Sequence, residues 1–245
     1  MPRHATRTVV LVTLAGLLLW PAAAPAAEKA APKPKRRVNS AMAPIEDVAG
    51  LPRVLLLGDS ISIGYTVPVR DLLKGKANVH RARQNCGPTT RGLESLDAWL
   101  GEKKWDVIHF NFGLHDLKYI NEKGGLVAVD EGRQQVPIDA YRKNLEQIVA
   151  RLEKTGAALI WCATTPVPEG AKGRVVGDAV RYNAAAAEVM AKHKIPTNDL
   201  YAFAKPRLEK IQQPANVHFT PEGSKALAEQ VVKHVLAALE KRAAR

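Results

Sequence analysis

The chain has 245 residues, 46% of them hydrophobic and 24% charged, which excludes a disordered or low-complexity protein and allows one sizeable core. Its 36 Lys and Arg against 24 Asp and Glu leave a net charge of +12. That balance suits polyanionic surroundings such as acidic polysaccharide or anionic lipid, while the 5% aromatic content and the lack of any nucleic-acid-binding motif argue against base recognition.

In chain order, Arg3 and Arg7 precede an apolar segment over residues 9–20, and Ala24-Pro25-Ala26 follows. The segment is shorter than the roughly 20 residues of a transmembrane helix. The pattern predicts a cleavable signal peptide over residues 1–26, with the mature protein secreted or periplasmic; an uncleaved N-terminal anchor is the alternative. No cysteine stands at the cleavage site to take a lipid, and no later segment reads as an integral membrane domain. Residues 27–50, rich in Ala, Pro, Lys and Arg, read as a flexible tether. Residues 51–245 remain for the folded domain.

Strand and helix patterns alternate after the tether. Apolar runs predict strands over residues 53–57, 78–83, 106–112, 157–162 and 195–200. Helical patterns cover residues 67–73, 92–100, a segment N-capped by Asp139 and ended by Gly156, residues 178–193, and a last helix that Thr220-Pro221 starts. This alternation predicts an α/β fold, a three-layer α/β/α sandwich with a five-stranded parallel sheet of flavodoxin-like order. The loops over residues 58–66, 84–91, 113–138 and 163–178 then open on one rim, where open α/β sheets place their chemistry. Cys86 and Cys162 both fall near that rim. Export would let them pair, two unpaired thiols being the default, and without a CxxC pair they make no metal site.

Four short segments converge on the rim: Gly58-Asp59-Ser60 after strand one, Asn85-Cys86-Gly87 after strand two, Gly113-Leu114-His115-Asp116 after strand three, and Val217-His218-Phe219 before the last helix. Gly58 is expected to let the backbone turn sharply before Ser60. A nucleophile elbow G-x-S-x-G, a P-loop and a G-x-G-x-x-G fingerprint are all missing at strand one, and no cofactor or metal is expected.

The order and spacing of these segments resemble the SGNH (GDSL) hydrolase superfamily over roughly residues 51–240. The resemblance implies that Ser60 is a nucleophile and His218 its general base, and that Ser60, Gly87 and His115 form the oxyanion hole. Two departures stand out. His115 occupies the place of the family's Asn; it could donate as a neutral imidazole or, protonated, make activity pH-sensitive. Ala215 occupies the place of the Asp that orients the histidine. Asp199 or a backbone carbonyl could substitute, Asn216 is adjacent at a different offset, and a Ser–His dyad is the simplest alternative. The resemblance implies an exported serine esterase acting on a small-molecule or polysaccharide ester, with short acyl groups on carbohydrate favoured by the Gly-, Lys-, Glu- and Asp-rich rim loops. A lipid or lysophospholipid esterase, a thioesterase, an acyltransferase and a catalytically weak envelope-associated binding module are the other readings.

Overall fold

The computed structural model describes residues 40–244 together with Met1. The expected signal peptide and most of the tether lie outside the described residues. The sheet strands are β1 (Arg53–Leu57), β2 (Asn78–Arg81), β3 (Val107–Phe110), β6 (Ala158–Cys162) and β7 (Thr197–Asn198), in the order β2-β1-β3-β6-β7. Every neighbouring pair is parallel, with Leu55 opposite both His80 and Ile108. This is the five-stranded α/β/α sandwich that the strand–helix alternation predicts. Central strands are covered on both faces and so need apolar side chains throughout. Val54, Leu55, Leu56 and Leu57 are accordingly all at most 1% exposed. Burial of each such side chain stabilises the fold by about 1.5–3 kcal/mol.

Helices α1 (Ser60–Leu72) and α7 (Pro221–Ala243) pack together as one outer layer, and α2 (Thr89–Leu100), α3 (Ile138–Glu153) and α4 (Asp178–Lys192) pack in series as the other. Short α5 (Leu200–Ala204) and α6 (Leu208–Ile211) lead into α7. The starts of two helices differ from the sequence reading. Helix α1 begins at Ser60, not at residue 67, because the Asp59 carboxylate accepts from the Ile61 N–H and caps it there. With this earlier start Pro68, near the beginning of the expected helix, lies in the interior of α1. Helix α3 is entered from Pro137, and Asp139 sits in its first turn, paired with Arg142, instead of capping it.

Residues 40–50, expected as the end of a free tether, are bound to the domain. Arg70 donates to the carbonyls of Ser40 (2.9 Å) and Ala43 (3.2 Å). Asn78 exchanges hydrogen bonds with the backbone of Val48, and Asp47 meets both Arg53 and His80. The long rim segment after β3 is also ordered, as a two-stranded antiparallel arm of β4 (Tyr119–Ile120) and β5 (Arg133–Gln134).

Buried phenols set the root of that arm. Tyr141 Oη donates to the Phe112 carbonyl (3.0 Å) and Tyr182 Oη to that of Val136 (2.6 Å). Thr164 Oγ1 donates to the Phe112 carbonyl as well (3.0 Å). Gly113, at φ +154°, follows at once; a Cβ there would lie 2.0 Å from Thr164 Oγ1, so only glycine fits. The chain is thereby aimed so that Leu114 and His115 reach the rim. No described helix is long and apolar enough to cross a membrane.

Candidate active site

Ser60 leaves the C-terminal end of β1 as the first residue of α1. Its backbone N–H, at the positive end of the helix, has no partner among the described residues. The turn into it depends on close packing at Gly58, whose φ is not positive. A Cβ on Gly58 would come within 3.0 Å of both Ser62 Cβ and Oγ. Arg81 holds the turn from below. Its buried guanidinium donates to the carbonyls of Gly58, Gln84 and Ala82 and to the hydroxyls of Ser62 and Thr66.

Ser60 Oγ lies 2.8 Å from His218 Nε2. Behind the imidazole, Asn216 Oδ1 lies 2.7 Å from Nδ1 and 3.1 Å from the His218 backbone nitrogen. A backbone N–H can only donate, so the Asn216 atom facing it is the oxygen. The same oxygen faces Nδ1, which therefore carries the proton. Nε2 is left with its lone pair toward the serine hydroxyl, the tautomer a general base needs.

The loop around His218 is pinned independently. Gln212 Nε2, buried, donates to the carbonyls of Pro166 (3.0 Å) and Val217 (3.2 Å), and the Gln213 N–H donates to the His218 carbonyl (2.9 Å). Ala215, where the superfamily has its carboxylate, adopts φ +50° and sets its methyl against Gly170. The side chain that reaches the imidazole is Asn216. Asp199 does not serve: its carboxylate caps α5 by accepting from the Ala202 N–H (2.9 Å).

The other expected oxyanion donors divide. His115 lines the cavity with Ser60 and His218. Burial pushes its pKa down to about 4; Asp59 opposes this, and the nearby cations of Lys118, Arg174 and Arg91 act in the same direction as burial. It is a neutral imidazole near pH 7, which removes the protonated alternative. The Lys118 ammonium, a donor only, approaches its Nδ1 at 3.5 Å, so the proton sits on Nε2. Gly87 is different. Its N–H donates to Asn85 Oδ1 (2.9 Å) and is not free. By the same logic as at Asn216, the Asn85 amide oxygen is committed, and its Nδ2 has no partner among the described residues while the residue lines the cavity. Sequence reasoning missed Asn85 as a donor and Gln212 as a brace. The signal for Asn85 was available: Asn readily accepts from the N–H two residues on.

Asp116, next to His115, is fully buried and turns away. Its Oδ1 accepts from Thr89 N–H (2.8 Å) and Thr89 Oγ1–H (2.5 Å), while burial pushes its pKa up to about 7. Cys86 and Cys162 are both free and buried. The Cys86 sulfur accepts from the Gly58 N–H (3.2 Å), and burial pushes its thiol up to about 12, so it offers no thiolate at neutral pH. Among the described residues no group of His, Cys, Asp or Glu could hold a metal ion.

The cavity over Ser60 measures about 440 Å³. Leu114, Leu126, Ala171, Ala215 and Val217 form its apolar wall, with Lys172 and Arg174 beside them. A groove of about 490 Å³ near Trp99 and Trp105 contains no paired nucleophile and base.

The family model for the GDSL-like lipase/acylhydrolase family matches residues 56–226. Comparison with curated proteins gives no match. Among solved structures, the chain is similar to a lipase/acylhydrolase from Enterococcus faecalis at 22% identity and TM-score 0.63, covering 76% of this chain and 95% of that one. It is also similar to an acetylxylan esterase from Geobacillus stearothermophilus at 15% identity and TM-score 0.59, covering 75% and 94%. An acetyl xylan esterase named AlAXEase aligns at 16% identity and TM-score 0.61, covering 75% and 99%. With the family model spanning the turn at Ser60 and the loop at His218, the chain belongs to the GDSL-like lipase/acylhydrolase family and is an ester-bond hydrolase.

Proposed function

We propose that the protein is an exported serine esterase that removes short acyl groups, acetyl above all, from carbohydrate, through a Ser60–His218–Asn216 triad. The observation that carries the reading is the 2.8 Å approach of Ser60 Oγ to His218 Nε2, with Asn216 holding the tautomer behind it. A serine hydroxyl attacks at neutral pH only if a base takes its proton as the bond forms.

In the first step Ser60 Oγ bonds to the acyl carbon and its proton passes to His218 Nε2. The tetrahedral oxyanion is met by the Ser60 N–H, His115 Nε2–H and Asn85 Nδ2–H. Collapse breaks the ester C–O bond, and the leaving alkoxide takes the proton from His218. Water then attacks the acyl-enzyme, giving its proton to His218 and releasing the acid, and the proton returns to Ser60. Each oxyanion donor is worth about 3–4 kcal/mol in the transition state.

Short acyl groups suit a cavity whose apolar wall is confined to five modest side chains. The acetylxylan esterases among the structural neighbours support a carbohydrate ester, and the leader pattern in residues 1–26 supports export. The close Ser60–His218 approach speaks against a binding module that has lost its chemistry. The test is hydrolysis of 4-nitrophenyl acetate, 4-nitrophenyl decanoate and acetylated xylo-oligosaccharides, with Ser60→Ala in parallel. Acetyl esters should be cleaved fastest and Ser60→Ala should reach background; equal rates in the variant would refute the serine mechanism. A preference for decanoate would favour the lipid esterase reading instead.

A further inference from the structure

The cavity wall next to His115 is cationic, and its cations form no direct ion pair among the described residues. Lys172 and Arg174 line it, and Arg91 and Lys118 stand close behind, near enough to disfavour protonation of His115. Arg174 is partly buried. Its Nε donates to the Leu114 carbonyl (3.2 Å) and its Nη1 to that of Lys172 (3.3 Å). These carbonyls aim the guanidinium without cancelling its charge, and Nη2 has no partner among the described residues.

Several basic side chains elsewhere in the domain meet carboxylates, Arg53 at Asp47, Arg142 at Glu188, Arg151 at Asp97 and Lys192 at Glu146, and the buried Arg81 spends its guanidinium on carbonyls and hydroxyls. Among the described residues none of Arg91, Lys118, Lys172 and Arg174 has a carboxylate oxygen within ion-pair distance. The nearby carboxylates are otherwise engaged. Asp59 caps α1, and Asp116 is buried against Thr89. Glu169, on the same loop as Lys172, is exposed and does not line the cavity.

Asp59 acts on Arg174 only at longer range, and a partly desolvated cation without a direct ion pair is costly, a cost that an anionic ligand offsets. A guanidinium with one edge held by carbonyls presents the rest of its planar fork to a carboxylate or sulfate. We propose that the ester cleaved at this site carries an anionic group, a carboxylate or sulfate, close to the scissile bond, and that Arg174 and Lys172 bind it. This deepens the Ser60 esterase reading and rests on it. The anion belongs either to the alcohol portion, as in an acylated uronate or sulfated sugar, or to the acyl portion, as in a dicarboxylic half-ester.

Two matched pairs separate these sources. On the alcohol side, 4-acetoxybenzoate is compared with its methyl ester. On the acyl side, mono-4-nitrophenyl succinate is compared with 4-nitrophenyl butyrate. With kcat/KM corrected for each ester's alkaline hydrolysis rate, the anionic member of one pair is expected to be favoured by about tenfold or more, as for one partly buried ion pair. The preference should shrink as salt rises from about 0.02 to 0.5 M. Lys172→Gln, at an exposed position, and Arg174→Gln should each bring the ratio toward one, Arg174→Lys should keep part of it, and Lys233→Gln on the far helix should leave it unchanged.

Ratios near one in both pairs, from an enzyme whose Ser60→Ala variant is inactive, would overturn the proposal and leave the esterase standing. So would a preference that survives both glutamine variants. Hydrolysis that persists in Ser60→Ala would overturn the esterase reading and this proposal with it.

Discussion

Asn216 provides the sharpest test of how the site works. One amide oxygen accepts from both Nδ1 and the backbone N–H of His218. Asn216→Ala removes both bonds and frees the tautomer. A hydrogen bond between neutral partners contributes about 1 kcal/mol, and one to a charged group about 1.5–3 kcal/mol. The bond to Nδ1 therefore strengthens as the imidazole takes the serine proton, and this difference lowers the barrier. Adding the lost control of tautomer and ring orientation brings the expected loss to about 2–3 kcal/mol, or roughly 30- to 160-fold in kcat. Asn216→Asp keeps an oxygen at the same place, adds a negative charge, and should hold kcat at or above wild type. The assay is steady-state hydrolysis of 4-nitrophenyl acetate at pH 7.5, with thermal unfolding to show that the fold survives. An Asn216→Ala enzyme with kcat within threefold of wild type would refute the triad and leave a Ser–His dyad.

Two other predictions follow from neighbouring residues. His115→Ala should lower kcat by about 10²-fold, since one oxyanion donor is lost, while His115→Asn should restore most of it; because His115 stays neutral down to about pH 4, it should add no titration of its own to the pH–rate profile between pH 5 and 8. Asp116→Asn tests the buried acid. The folded protein holds the Asp116 proton up to about pH 7, whereas an unfolded chain loses it near 3.8, so this group makes stability fall as pH rises between those values. The variant keeps an oxygen for Thr89 and removes that term, so it should gain on wild type by about 1.4 kcal/mol per pH unit across pH 4.5–6.5 in urea unfolding; a constant difference over that range would show that Asp116 is ionised in the fold.

The sheet was legible because central parallel strands must be apolar on both faces, and residues 53–57, 107–110 and 158–162 are nearly all so. The last helix was legible from its Thr220 cap and Pro221. The start of α1 was not, because residues 60–66 carry no continuous apolar stripe: Ser62 and Thr66 are buried by hydrogen bonding to Arg81, a contact from another strand. The β4–β5 arm escaped notice because its strands are two residues each and are pinned by more distant contacts.

For the site, Ser60, His115 and His218 were named from motif order, and the fold brings them to one cavity. Of the two side chains named behind His218, Asp199 and Asn216, the fold brings Asn216 to the imidazole. Asp199 caps a helix instead, and the Gly87 N–H, expected to face an oxyanion, donates to Asn85 Oδ1. Residue type and order along the chain were enough to determine the sheet and to set Ser60 and His218 on one rim, because these depend on local pattern and on the common edge of a parallel sheet. Which amide oxygen holds the imidazole, which N–H is free to meet an oxyanion, and which cations remain unpaired were decided only by tertiary structure. Each depends on what a donor or charge meets across the fold, and Ala215 at φ +50° was enough to move that choice by one residue.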